Sequence, residues 1–230
     1  MIAFESGGRI SLDDFRHVAL DAVGSTNSEC LARARQGDPG NLYASLLLIE
    51  PAPVEYLHSL PLAVAVAVHR AIRQVMPPGS APVEIKWPND ILIDGKKTCG
   101  ILLEGESLPD GRRALVIGCG INIAVQPDEG LYPVTSLANE GASVSPDELF
   151  ARLFLTMAET LQVWDRGAGI ATTIEQWRAA ARGIGETITV NLPDRSLSGR
   201  FAGIDEAGRL VLDTGNGMTQ AIAAGDVFFG

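Results

Sequence analysis

Cysteine, histidine and basic residues are all scarce in this chain of 230 residues, and each shortage closes off a class of function. The three cysteines, Cys30, Cys99 and Cys119, form no CxxC pair, and an odd count does not suit a disulfide framework. The chain therefore reads as reduced and cytoplasmic. The three histidines, His17, His58 and His69, show neither HExxH nor HxH spacing, so no zinc site is expected. Lys and Arg total 18 against 28 Asp and Glu, a formal charge of -10. A surface that acidic repels a phosphate backbone, which disfavours nucleic acid as a partner while leaving room for a local basic pocket. No basic start followed by an apolar run marks a secretory signal. The most apolar stretch, 60–68, is too short to cross a bilayer, so no membrane association is expected. No repeat or low-complexity block is present.

What is there is a hydrophobic content of 46%, enough for a real core and a small appendage. Residues 17–23 alternate as a strand, and Thr26 and Glu29 have the spacing of a capping box, so a helix is expected over 27–36. Gly37-Asp38-Pro39-Gly40 breaks the chain, and 42–50 is an apolar strand ended by Pro51 and Pro53. Residues 57–75 read as a buried helix, although their valines are weak helix formers. Short strands follow at 83–87, 91–93, 98–106 and 114–121, joined by tight turns such as Asp94-Gly95. Ser145-Pro146-Asp147-Glu148 opens a helix to about 166, and another is expected over 174–182. Residues 185–230 change texture to glycine and short β runs at 187–192, 199–204 and 210–213. The pattern is α+β: a mixed, largely antiparallel sheet with flanking helices over 1–183, then a small SH3-like β-barrel over 184–230.

The segment richest in chemistry is Lys86-Trp87-Pro88-Asn89-Asp90, followed by Gly95-Lys96-Lys97-Thr98-Cys99-Gly100-Ile101. Pro88 ends one strand and holds Asn89 and Asp90 in a fixed turn. A hairpin brings Lys97 back toward that turn, and Gly100 inside the returning strand lets a ligand approach the backbone. A lysine beside a glycine floor supplies a point charge able to neutralise a carboxylate and a phosphate together. A bare KxxG is more often a solvated hairpin; the full Lys-Trp-Pro-Asn-Asp run is far rarer by chance.

In order and spacing, KWPND, KKTCGILLE and Gly118-Cys119-Gly120-Ile121-Asn122 resemble the catalytic core of biotin–protein ligases. Gly24-Ser25-Thr26-Asn27 and Gly40-Asn41-Leu42-Tyr43-Ala44-Ser45 resemble two further signatures of that family, and 185–226 resembles its C-terminal barrel. The resemblance implies an enzyme that joins biotin and ATP, with Mg2+, into biotinyl-adenylate. It then passes the biotinyl group to a lysine of a biotin carboxyl carrier protein, such as an acetyl-CoA carboxylase subunit. Carried over by position, Ser25, Thr26 and Asn27 line the ureido end of biotin, whose N–H and C=O groups suit a hydroxyl and an amide. Lys97 meets the biotin carboxylate and the α-phosphate, while Gly100 and Ile101 floor the pocket. Asn89, Asp90 and Asn122 face the adenylate or its metal, and Asp90 is the candidate base toward the incoming lysine. Trp87 is assigned to core packing. A sheet edge in this fold can pair two subunits into a homodimer. The alternatives are a lipoate–protein ligase-like enzyme and a non-catalytic biotin- or carrier-binding module.

Two departures stand out. The family carries a strand and then a glycine- and arginine-rich loop of the type GRGRRGR before the strand that starts at Asn41. Here Arg35 runs through Gln36-Gly37-Asp38-Pro39-Gly40 straight into Asn41, and no GRG occurs anywhere. Ala32-Arg33-Ala34-Arg35 is no substitute, because helical spacing splays its arginines around an axis. Loss of the loop implies poorer retention of ATP and poorer shielding of the intermediate. The stretch before residue 17 is also too short for the winged helix-turn-helix of family members that double as repressors.

Overall fold

The computed structural model describes residues 2–5, 16–17, 40–125, 133–215 and 217–229, the first two stretches by backbone alone. The helix expected over 27–36, Ser25, Thr26, Asn27 and most of the strand expected over 17–23 lie outside the described residues.

Seven strands form the larger sheet: β1 (Ile2–Glu5), β2 (Arg16–His17), β3 (Leu42–Ile49), β4 (Val83–Lys86), β5 (Asp90–Ile93), β6 (Lys96–Ser107) and β7 (Arg113–Ile121), in the order β2-β1-β3-β7-β6-β5-β4. Only β1 and β3 run parallel; the other pairs are antiparallel, so the sheet is mixed and largely antiparallel. Strand β1 was not anticipated: four residues beside a Gly-Gly pair give too little pattern to declare a strand.

Side-chain alternation sends Leu42, Leu46 and Leu48 of β3, Ile85 of β4, Ile91 and Ile93 of β5, Cys99 and Ile101 of β6, and Ile117, Cys119 and Ile121 of β7 to one face, where all are buried. Helices α1 (Leu60–Val75), α2 (Pro146–Trp164) and α3 (Ile170–Ala180) cover that face, with α1 packed on β4, β5, α2 and α3. Helix α1 is nearly apolar all round, which makes it an interior helix, and burial overrides the poor propensity of its valines. Its first turns, over 54–59, are 3₁₀ because Pro61 fixes where the α-helix begins. Helix α3 starts four residues earlier than its sequence suggests, after the break at Gly169.

The remaining strands, β8 (Thr187–Asn191), β9 (Ser196–Ile204), β10 (Leu210–Gly215), β11 (Met218–Ile222) and β12 (Asp226–Phe229), make a five-stranded antiparallel sheet in the order β11-β10-β9-β8-β12. Its own core includes Ile188, Val190, Phe201, Ile204, Leu210, Leu212 and Val227. Strands β11 and β12 were not anticipated: Thr219 and Gln220 interrupt the apolar alternation of β11, and β12 is only four residues long.

Helix α2 has the capping box its sequence promises. Ser145 Oγ accepts from the Glu148 N–H at 3.2 Å, and the Ser145 N–H donates to Glu148 Oε2 at 2.9 Å. Ser145→Ala should lower stability by about 1 kcal/mol, read as a shift of the urea unfolding midpoint; an unmoved midpoint would show the cap to be idle.

Candidate active site

The face of the large sheet away from the helices carries the site, and strand register builds it. Lys86 pairs with Asp90, Asp90 with Gly100, Gly100 with Gly120, and Gly120 with Tyr43. Partners directly opposite in a ladder project to the same face, so these five residues form one row across β4, β5, β6, β7 and β3. The two glycines in the middle of the row leave a trough. A Cβ built on Gly100 would lie 3.4 Å from Cε and Nζ of Lys97, and one on Gly120 would lie 3.6 Å from the Tyr43 ring. Lys97 and Asp90 form one wall, and Tyr43 forms the other.

Lys97 reaches this face by an irregularity. The β5–β6 register slips between Ile91 and Leu92, so that Lys97 stands opposite Leu92 while Gly100 stands opposite Asp90. A bulge of this kind re-aims a side chain beside a site. The Lys97 ammonium turns onto Asp90 Oδ1 at 2.7 Å, with side-chain exposures of 26% and 15%. Both charges are therefore within reach of a ligand in the trough and neither is buried in the core.

Asn89 occupies the turn after the cis Trp87–Pro88 peptide, and its amide donates to the Ile101 carbonyl at 2.6 Å, tying the corner back to β6. Asn122 ends β7, 6% exposed. Its backbone N–H donates to Thr98 O at 2.9 Å and its side-chain amide to Thr135 O at 3.1 Å. Residues 133–137 run beside Lys97, which donates to Pro133 O at 2.8 Å and accepts from the Thr135 N–H at 2.9 Å. One backbone network thus holds Lys97 and Asn122. Of the two residues expected to floor the pocket, Gly100 lies in the row and the Ile101 side chain does not. Alternation puts that side chain in the core, opposite Cys119 and 5% exposed, so only its backbone faces Asn89. Trp87 is core, as its sequence reading has it, at 2% exposure.

Sequence reasoning passed over three contributors. Lys86 is 4% exposed, with its ammonium 5.8 Å from the Phe228 ring centre. Burial pushes its pKa below the ordinary value, while Asp90 and Asp226 pull it back up. Arg182 pairs with Glu84 at 3.1 Å and lies over the Phe229 ring at 5.3 Å. Together with Asp90, Lys97 and Phe228, these residues line a cavity of about 290 Å³ between the large sheet and β12. Lys86 could have been singled out as the first letter of KWPND; Arg182 and Phe228 carry no local signal. The third is Asn41, whose Oδ1 accepts from the N–H groups of Ile123, Ala124 and Val125 at 2.9, 3.1 and 3.2 Å. It pins the chain leaving Asn122 to the start of β3.

The arrangement can hold anions. Lysines 86 and 97 flank a single carboxylate beside a floor without side chains, so two negative groups can approach each other over Gly100 with their repulsion neutralised. Among the described residues no three His, Cys, Asp or Glu side chains gather as a metal cluster.

A mixed sheet with a cationic trough on its open face suits an enzyme that handles anionic substrates, and the comparisons with known proteins give the class: a ligase. Residues 36–122 match the biotin/lipoate A/B protein ligase family, and residues 183–230 match the biotin protein ligase C-terminal domain. A biotin--[acetyl-CoA-carboxylase] ligase of Paracoccus denitrificans is 34% identical over 200 residues, covering 83% of this chain and 81% of that protein. Its counterpart in Mycobacterium tuberculosis is 30% identical over 240, covering 90% and 88%. The bifunctional ligase/repressor BirA of Bacillus subtilis is 31% identical, but this chain spans only 60% of its length. Among solved structures, a biotin protein ligase of Aquifex aeolicus shares the fold at a TM-score of 0.70 and 24% identity, with 83% of each chain covered. The same enzyme in complex with biotin and ATP aligns at 0.66 and 25% identity, covering 82% of this chain and 78% of that one. The chain belongs to the biotin protein ligase family.

Lys96, next to the key lysine, pairs with Glu140 at 2.8 Å, and Thr135 donates to the same oxygen at 2.7 Å. These contacts hold the Glu140 carboxyl below its ordinary 4.5, the Lys96 hydrogen bond being the largest cause. The stability they contribute is full above pH 4.5 and is lost as pH falls through the folded value. Glu140→Gln should be less stable at neutral pH and should show a shallower decline in unfolding midpoint below pH 4.5. Parallel curves for the two proteins would show the contact to be silent.

Proposed function

We propose that the chain activates biotin with ATP as biotinyl-adenylate and transfers the biotinyl group to a lysine of a biotin carboxyl carrier protein. The observation that carries this reading is the Lys97 ammonium lying over Gly100 and against Asp90, in register with the KWPND corner. Biotin carboxylate and ATP α-phosphate are both anions, and their approach is opposed by mutual repulsion. A cation at the meeting point lowers that barrier, and the trough aligns the attacking carboxylate oxygen with the α-phosphorus, whose bond to the bridging oxygen breaks to release pyrophosphate, so neutralisation and positioning do most of the work.

In this reading Lys97 is the catalytic residue of the first step, with Gly100 as floor and Ser25, Thr26 and Asn27 at the ureido end of biotin. Asn89, Asp90 and Asn122 serve the adenylate. In the second step Asp90 takes the proton from the incoming carrier lysine as that amine displaces AMP. Mg2+ is expected to arrive on the phosphates of ATP. A single partly exposed carboxylate, Asp90, fits such an ion, which needs only one or two protein oxygens when phosphate supplies the rest. When bound it would offset phosphate charge at that side of the trough.

Residues 1–183 form the catalytic unit in this proposal and 184–230 its support, at work in the reducing cytoplasm, where Cys99 and Cys119 stay as thiols. With the GRGRRGR-type loop absent, the phosphates are met, among the described residues, by Lys97, with Lys86 and Arg182 beside it, and the adenylate is more open to water. That same absence is what favours the second reading, a biotin- or carrier-binding module without turnover.

Biotin-dependent ATP–pyrophosphate exchange decides between the two. Exchange above background supports the enzyme, and its absence alongside retained biotin binding supports the module. Lys97→Ala should cut exchange by about 10²–10³-fold, the scale of losing one preorganised electrostatic contact. Exchange at the wild-type rate would refute the role of Lys97, and exchange driven by lipoate in place of biotin would change the substrate.

A further inference from the structure

The KWPND corner is gripped from the C-terminal side of the molecule. The Trp87 indole N–H donates to the carbonyl of Gly208, in the turn between β9 and β10, at 3.1 Å. That turn is stiff. Asp205 Oδ1 accepts from the N–H groups of Ala207 and Arg209, both at 2.9 Å, and Asp205 Oδ2 accepts from Arg209 Nε at 2.7 Å. Gly208 has φ +72°, and a Cβ there would lie 2.7 Å from Leu62 Cδ1 of α1, so the turn is seated against the core helix without slack. Arg178 of α3 holds the neighbouring Ile204 carbonyl. At the other end of the corner, Asn89 is tied to Ile101 O and Asp90 to Lys97. Between the two ends stands Pro88, whose ring fixes φ, so a rotation at Trp87 is passed on to Asn89 and Asp90.

We infer that Trp87 is a positioning residue through which the turn 205–208 sets the placement of Asn89 and Asp90 toward ATP. This rests on the ligase reading above. Trp87 is sealed from the trough in the core, so it touches no substrate. An indole N–H bonded to a carbonyl fixes the ring's rotation as apolar packing alone does not. In that reading the ureido end of biotin is met by Ser25, Thr26 and Asn27 and its carboxylate by Lys97, while Asn89 and Asp90 serve the adenylate, so the influence of this contact falls first on ATP.

Two variants approach the contact from opposite sides. Trp87→Phe removes the N–H and keeps an aromatic ring. Gly208→Ala places a methyl group against Leu62 at an unfavourable φ and lifts the turn away. Each should raise the KM for ATP or lower kcat for biotin-dependent exchange by at least about 10-fold, with the KM for biotin within about twofold of wild type. The double variant should lose no more than the worse single, because both act through one contact. Amide hydrogen exchange should quicken at 86–90 in Trp87→Phe and stay as in wild type in β7 and α2.

Unchanged ATP kinetics in a folded Trp87→Phe protein would overturn the inference. So would equal losses toward ATP and biotin, which signal general loosening. If Gly208→Ala does not fold, Trp87→Phe decides alone. If wild-type protein shows no biotin-dependent exchange, the ligase reading fails separately. Hydrogen exchange at 86–90 then decides the grip, and an unaltered rate in Trp87→Phe rejects it.

Discussion

An ammonium and a carboxylate 2.7 Å apart at the edge of a glycine trough are what the rest of this molecule is arranged to hold. The pair sits at partial exposure, where solvent screening keeps its contribution to stability small. Its value is in poise. Under the proposed function, Asp90 keeps the Lys97 side chain over Gly100 until an anion competes for it, and the ammonium then already stands where the two negative groups would meet. Long lysine side chains lose conformational freedom on binding, and a resting partner removes part of that loss beforehand.

Each layer of the fold contributes to holding the pair. The helices bury one face of the sheet and leave the other open. The register of five strands lines up Lys86, Asp90, Gly100, Gly120 and Tyr43, and the bulge in β6 turns Lys97 onto that row. Residues 133–140 hydrogen-bond the Lys97 backbone and are fastened by Lys96 and Glu140. The C-terminal sheet takes hold of Trp87 and lays Phe228 against Lys86.

Much of this was legible in the sequence where the signal is local. Pro88 announced a fixed corner, Gly100 a close approach, Ser145 to Glu148 a capped helix, and 42–50 a central strand. The buried helix, expected over 57–75 and formed over 60–75, was legible from length and apolarity despite its valines. What sequence could not supply was register. Periodicity does not show that Gly120 and Tyr43 share a row with Gly100, because that depends on the β6–β7 and β7–β3 registers, nor does it show the one-residue slip between β5 and β6 that re-aims Lys97. Adjacency misled at Ile101, which follows Gly100 in the chain and therefore points the opposite way. Lys86, Arg182 and Phe228 meet only when α3 and β12 fold back on β4, a long-range event without a local pattern. The short strands β1, β11 and β12 are set by their pairing partners more than by their own residues.

The account stands on Gly100 having no side chain beneath the Lys97 ammonium. Calorimetric titration of biotin into wild type and into Gly100→Val tests it most directly, since valine suits a strand while its branches enter the space beside the Lys97 ammonium. Heat of biotin binding in the wild type and none in a folded variant is the predicted result. Equal affinity in both proteins would place biotin elsewhere and contradict the account.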